Sequence, residues 1–256
     1  MATPLNSSAL RIVHTGCAGL RLELGTGTVI AIDPARDPGP VSTILLTWNE
    51  RERLQGALEA VRSGRTPRIA ARPEILAWLG AEGAIEATDI DGSIADIQVQ
   101  AETYRPVPYA SPAEALRKLR SGVLDPVRAV RRLSSRARLP SCPPVVLRLQ
   151  LPGGRTLVHL NCALHRDTPA DWLEDLATRW GGADWLLCSW DYDEDLAFRQ
   201  RVPAMNARCV VITDLVNEVR KTLGLPVVTR TPTADALIAD EQWVLMLAAR
   251  TSLRFA

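Results

Sequence analysis

Thr47-Trp48-Asn49-Glu50-Arg51-Glu52-Arg53-Leu54 decides how this chain is read. It follows an apolar run, residues 42–46, that has the length of a short buried strand, and it opens a helical pattern. Upstream, residues 10–13, 20–24 and 29–32 are three further short strands joined by glycine-containing turns, the last closed by Asp33-Pro34. Gly25-Thr26-Gly27 lacks the third glycine and the following helix of a phosphate loop, so it is a hairpin turn. Downstream, Leu54, Ala57, Leu58 and Val61 fall at helical spacing.

The remaining chain alternates strand and helix signals. A strand is expected over 68–71, a helix over 73–79 and a half-exposed alternating strand over 93–101. Residues 145–151 and 156–160 flank Pro152-Gly153-Gly154 as a hairpin. A helix over 169–180, a buried strand over 185–188, a helix ending near Met205 and a strand over 209–213 follow.

This order, with Thr47 at the end of the fourth strand, resembles the metallo-β-lactamase fold and its ascorbate-phosphate-lactonase-like branch. The resemblance spans roughly residues 10–215 as a pattern. It implies an α/β protein, a four-layer αββα sandwich in one domain over 1–256, with a basic helical insertion at about 105–140. Relatives end the fourth strand in Thr-His-x-His-x-Asp-His, whose side chains hold zinc or manganese. Here those ligand positions fall on Trp48, Glu50, Glu52 and Arg53. The Asp of the relatives' later Gly-Asp-Thr falls on Asn161, within Leu160-Asn161-Cys162, and a last histidine position falls on Asp214. The three histidines, His14, His159 and His165, lie away from the family's ligand positions.

An indole, an arginine and a neutral amide are poor replacements for imidazoles and carboxylates that must converge on one ion. The resemblance therefore implies a hydrolase scaffold without its metal chemistry, acting as a binding, regulatory or structural component with no cofactor. An alternative from a different class is a lactone or phosphoester hydrolase whose site is rebuilt from Glu50, Glu52 and Asp214, with Asp33 as a further donor. Those oxygen ligands suit Mg²⁺ or Mn²⁺. Glu50 and Glu52 also have a plainer role, as carboxylates near the exposed amides of a helix start. In the vacated cleft a guanidinium is the simplest replacement for a metal's charge. The expectation is an ion pair of Arg53, or failing that Arg51, with Asp214, joined by Asn161 and covered by Trp48.

Composition limits the other classes. Thirty Lys and Arg against 29 Asp and Glu give no global field for nucleic acid or anionic membranes. No apolar run reaches the length of a membrane span and no leader pattern opens the chain, so a cytoplasmic protein is expected. Five scattered cysteines form no Cys-x-x-Cys pair and suggest neither a zinc knuckle nor a disulfide framework. Charge is concentrated in residues 105–138, where nine basic residues meet two acidic ones, Glu114 and Asp125, a local +7. Pro112 and Pro126 each open a helical pattern there. Arg117, Arg120, Arg128, Arg131 and Arg132 are candidates for contact with an anionic ligand, a protein partner or a second copy of the chain. A nucleic-acid-binding module using these basic helices is a weaker alternative, since sparse aromatics give base stacking little support. An acidic pole, Asp184 with Asp191, Asp193, Glu194 and Asp195, is a candidate counterpart.

Overall fold

The computed structural model describes residues 9–17, 19–104, 139–140, 142–161, 163–164, 168–189, 195–213, 243–247 and 251–255. The basic segment with its five candidate arginines, and Asp214, lie outside the described residues.

Among the described residues, two seven-stranded sheets form the centre of the molecule. The first contains β1 (Leu10–Gly16), β2 (Gly19–Leu24), β3 (Val29–Ile32), β4 (Thr43–Leu45), β5 (Arg68–Ala71), β6 (Glu86–Asp89) and β14 (Ser252–Phe255). The second contains β7 (Gly92–Ile94), β8 (Ile97–Thr103), β9 (Val145–Gln150), β10 (Thr156–Asn161), β11 (Trp185–Ser189), β12 (Cys209–Thr213) and β13 (Trp243–Leu247). In both, antiparallel hairpins lead into parallel strands: β1 to β3 are antiparallel and β3 to β6 parallel, while β7 to β10 are antiparallel and β10 to β13 parallel. Helices α1 (Arg51–Arg62) and α2 (Pro73–Gly80) belong to the first half, α3 (Ala170–Trp180) and α4 (Asp195–Ala204) to the second.

The period-2 alternation of each strand sends side chains to two different cores. Ile30, Ile32, Leu45 and Ala70 of the first sheet meet Leu147, Leu157, Leu187 and Val211 of the second between the sheets. Their neighbours Ala31, Ile44, Leu46 and Ile69 face the other way, onto Leu54, Ala57 and Val61 of α1 and Ile75 and Leu79 of α2. Val146, Val158, Leu186 and Val210 face outward onto Leu173, Leu176 and Trp180 of α3 and Val202 of α4. Three apolar layers between four structural layers make an αββα sandwich. Each fully buried Leu or Ile here contributes roughly 1.5–3 kcal/mol relative to exposure.

The strands expected over 10–13, 20–24, 29–32, 68–71 and 209–213 are present, and the turn at Pro152-Gly153-Gly154 runs through positive φ at both glycines (82° and 77°). Residues 93–101 are corrected from one strand to part of a hairpin, β7 and β8, which reverses at Ala95 (φ 54°). Asp96 in that turn accepts a 2.6 Å hydrogen bond from Thr26 Oγ1 of the first half. The sandwich also extends past residue 215: β13 edges the second sheet, and β14 pairs with β1 through Leu10 opposite Phe255. Among the described residues, no helix is long and apolar enough to cross a membrane.

Candidate functional site

The ends of β3, β4 and β10 meet at one end of the sandwich, and a buried polar chain joins them. Asp33 follows β3 with φ 46°, a left-handed conformation that Asp tolerates better than most residues. Its Oδ1 accepts the Thr47 backbone N–H at 2.7 Å, and its Oδ2 accepts a short hydrogen bond from Thr47 Oγ1. Arg53 Nη1 completes the carboxylate's partners at 3.1 Å from Oδ2, with both side chains at 1% exposure or less.

Local backbone geometry holds that ion pair. Glu50 caps α1 through its backbone carbonyl, which accepts the N–H groups of Arg53 and Leu54 at 3.0 Å. One turn on, Gly56 donates its N–H to Pro34 O at 2.8 Å. A Cβ at Gly56 would lie 2.1 Å from Arg36 O and 2.3 Å from Pro34 O, so only glycine lets α1 lie against the loop that carries Asp33. Gly19 does the same from β2, where a Cβ would lie 2.6 Å from Asp33 O. Trp48 stacks on the Arg53 guanidinium, 5.0 Å from ring centroid to Cζ, a cation–π contact strengthened by burial. Tyr104 meets the Trp48 ring edge-on at 6.0 Å and lies 5.9 Å from Trp172, closing the roof.

The second half enters through Asn161, whose Nδ2 donates to Thr47 Oγ1 at 3.0 Å. Asn161 has φ 56° and follows a register shift between β10 and β11. Thr47 is therefore the relay: its hydroxyl accepts from Asn161 and donates to Asp33, and its carbonyl accepts the Val145 N–H at 2.9 Å. Serial bonds of this kind polarise one another in a low-dielectric interior. Burial lifts the Asp33 carboxyl above its ordinary range, opposed by the Arg53 charge and the Thr47 donors. His159, two residues before Asn161, is held neutral, its pKa lowered to about 3 by burial and by the Arg53 charge. Among the described residues, His159 Nδ1 and Asn161 Oδ1 have no hydrogen-bond partner.

Of the positions singled out in the sequence, Trp48, Arg53 and Asn161 do gather here. Glu50 stands at the rim, 14% exposed, with Oε2 at 3.4 Å from Arg53 Nε. Glu52 lies in the first turn of α1, partly exposed, where its charge faces the free amides. Asp33, named only as a further donor, is the buried partner of Arg53, and Asn161 bonds Thr47. Thr47 and His159 were missed as members. The readable signal for His159 was alternation, since it shares the inward face of β10 with Leu157.

The described residues do not bring together the ligands of a zinc or manganese centre. Asp33 and Glu50 are both directed at a guanidinium, and no three His, Cys, Asp or Glu side chains among the described residues converge to hold an ion. The arrangement is instead a satisfied cation, stacked under an indole and tied to the opposite sheet.

No family model matches the chain, and no curated protein does. Solved structures do. A protein named as a metal-dependent hydrolase from Parabacteroides distasonis is 14% identical, with 93% of this chain and 92% of that one aligned at a TM-score of 0.53. A motif mutant of a metallo-β-lactamase from Cronobacter sakazakii aligns less well, at 11% identity over 74% of this chain and 80% of that one, TM-score 0.39. Paired seven-stranded sheets between two helical layers, with the polar residues at the ends of β3, β4 and β10, give this chain the metallo-β-lactamase fold.

Proposed function

We propose that this protein is a metallo-β-lactamase-fold chain that no longer hydrolyses through a metal-bound water and works by binding, with its former catalytic cleft converted into an internal joint. The carrying observation is the Asp33–Arg53 pair at 3.1 Å beneath Trp48. A guanidinium supplies the positive charge at the place where relatives of this fold hold cations, and it cannot activate a water as a Lewis acid. Asn161 supports the same reading, because an amide tied to Thr47 is a weak bridging ligand. Residues 105–138, with their local +7, are the natural contact for an acidic protein partner or another anion.

The structural neighbour's name sets the opposing case, a metal-dependent hydrolase. The purified chain, supplied with Mn²⁺ or Zn²⁺, is expected to turn over neither bis-p-nitrophenyl phosphate nor an acyl-homoserine lactone above the buffer rate. Turnover abolished by chelator and by Asp214→Ala would replace this reading with a rebuilt oxygen-ligand site.

A further inference from the structure

The stretch of chain that leads into β9 crosses from one half of the sandwich to the other beside the joint. Leu139 and Cys142 pack on the apolar layer of α1 and α2 in the first half, Cys142 at 9% exposure. Val145 then begins β9 of the second sheet. Between them the chain runs along Thr47-Trp48-Asn49, the corner that carries the roof of Arg53. Asn49 Nδ2 donates to Pro140 O at 2.6 Å, and the Val145 N–H donates to Thr47 O at 2.9 Å. Pro144 O accepts at 3.1 Å the N–H of Tyr104, whose ring meets Trp48.

This strap differs in kind from the strand it feeds. Pro140, Pro143 and Pro144 have no N–H to give, so no ladder can stitch the strap to a neighbour. Their fixed φ also leaves less chain entropy to lose on docking, so a few contacts suffice to hold it. β9, in contrast, is paired with β8 on one side and β10 on the other. A segment with few backbone hydrogen bonds beside a fully paired strand opens before the fold does.

We propose that Leu139, Pro140, Cys142, Pro143 and Pro144 form a latch over the joint that lifts while both sheets stay paired, with the Asn49–Pro140 hydrogen bond as its catch. Docked, the latch fixes Thr47-Trp48-Asn49 above the Asp33–Arg53 pair. Lifted, it gives solvent a path to that corner. Its meaning for the cleft rests on the reading of that cleft as a joint, whereas the opening itself does not.

Labelling of the full chain with iodoacetamide, read thiol by thiol by mass spectrometry, tests the latch. Burial, and then the Glu74 charge, push the Cys142 thiol up to about 11 against the pull of Arg72, so the docked thiol holds little thiolate and reacts through the lifted state. Cys188, 2% exposed within β11, reacts only when the second sheet opens. Cys142 should therefore label at least about ten-fold faster than Cys188 in the parent chain. Asn49→Ala should speed Cys142 by a further factor of about two to ten, the range for one lost hydrogen bond, and leave Cys188 unchanged. Leu139→Ala, which weakens the apolar anchor without touching the corner, should act in the same direction. Equal rates for the two thiols, a Cys142 rate matching that of an exposed thiol or unmoved by Asn49→Ala, or a rise shared by Cys188 would each overturn the latch. One equivalent of metal retained by a chain with the expected labelling pattern would overturn the converted cleft and not the latch.

Discussion

Arg53 and Asp33 should be strongly coupled in stability. Each is at most 1% exposed, so removing one strands the other in the interior. A broken buried pair costs about 3–5 kcal/mol. For a chain of this size about 1 kcal/mol moves Tm by roughly 2–4 °C, which puts each single substitution at a loss of roughly 6–20 °C. Arg53→Met keeps the length and packing of the side chain under Trp48. Asp33→Asn suits the positive φ at that position better than any apolar residue, and it keeps an acceptor for the Thr47 N–H. Neither charge is left unpaired in the double variant, so it should be more stable than the sum of the singles predicts by about 1–3 kcal/mol. The two single variants should also differ in pH response. Without Arg53, Asp33 keeps a folded-state pKa above its unfolded value, so the folded state takes up its proton first and the deficit relative to the parent shrinks as pH falls. Asp33→Asn has no such proton to take up. Urea unfolding of all four proteins at two pH values measures both effects. Small, additive changes would show that these residues do not stabilise one another, and would refute the joint.

His159 should destabilise the fold in acid. Its pKa is about 3 folded against 6.5 in the reference state, so the unfolded chain binds the extra proton and stability falls from about pH 6.5 down to about 3. The loss at pH 5 is about 2 kcal/mol, and His159→Phe should flatten that limb of the urea-midpoint profile; an unchanged slope would remove the assignment. Gly56→Ala should cost more than a surface Gly→Ala change gains, because its Cβ would strike two backbone carbonyls, and a neutral or raised Tm would contradict the close approach of α1. If the 105–138 segment meets a polyanion, heparin retention should fall steeply with salt and drop further in Arg131→Glu/Arg132→Glu. No retention at low salt would leave either a specific acidic protein as its partner or a solvated basic face.

The fold was legible where side chains alternate against a layer on each side. Ile30, Ile44, Leu45 and Val211 declare buried strands through β-branched and apolar runs that needed no long-range information. The hairpin at residues 92–103 was not legible, because its reversal places alanine at a positive φ that sequence rules reserve for glycine or asparagine. Nor was β14, whose pairing with β1 closes a loop of about the whole chain and leaves no local trace. At the site, the resemblance pointed to Trp48, Arg53 and Asn161 because strand ends are where side chains from separate strands converge. It named Asp214, outside the described residues, as the partner of Arg53, and gave Asp33 only a secondary role. Asp33-Pro34 reads as a strand terminator, and nothing local reveals that a glycine one turn beyond Arg53 brings α1 within reach of that carboxylate.

The most direct test of the converted cleft is the metal content of protein purified without chelator, by elemental analysis before and after dialysis against Mn²⁺ or Zn²⁺. A cation stabilises only a state with a preformed site, so the account predicts far less than one equivalent retained and no rise in Tm on metal addition. One tightly held equivalent per chain, lost on Asp33→Asn or Asp214→Ala and accompanied by a metal-dependent rise in Tm, would contradict it.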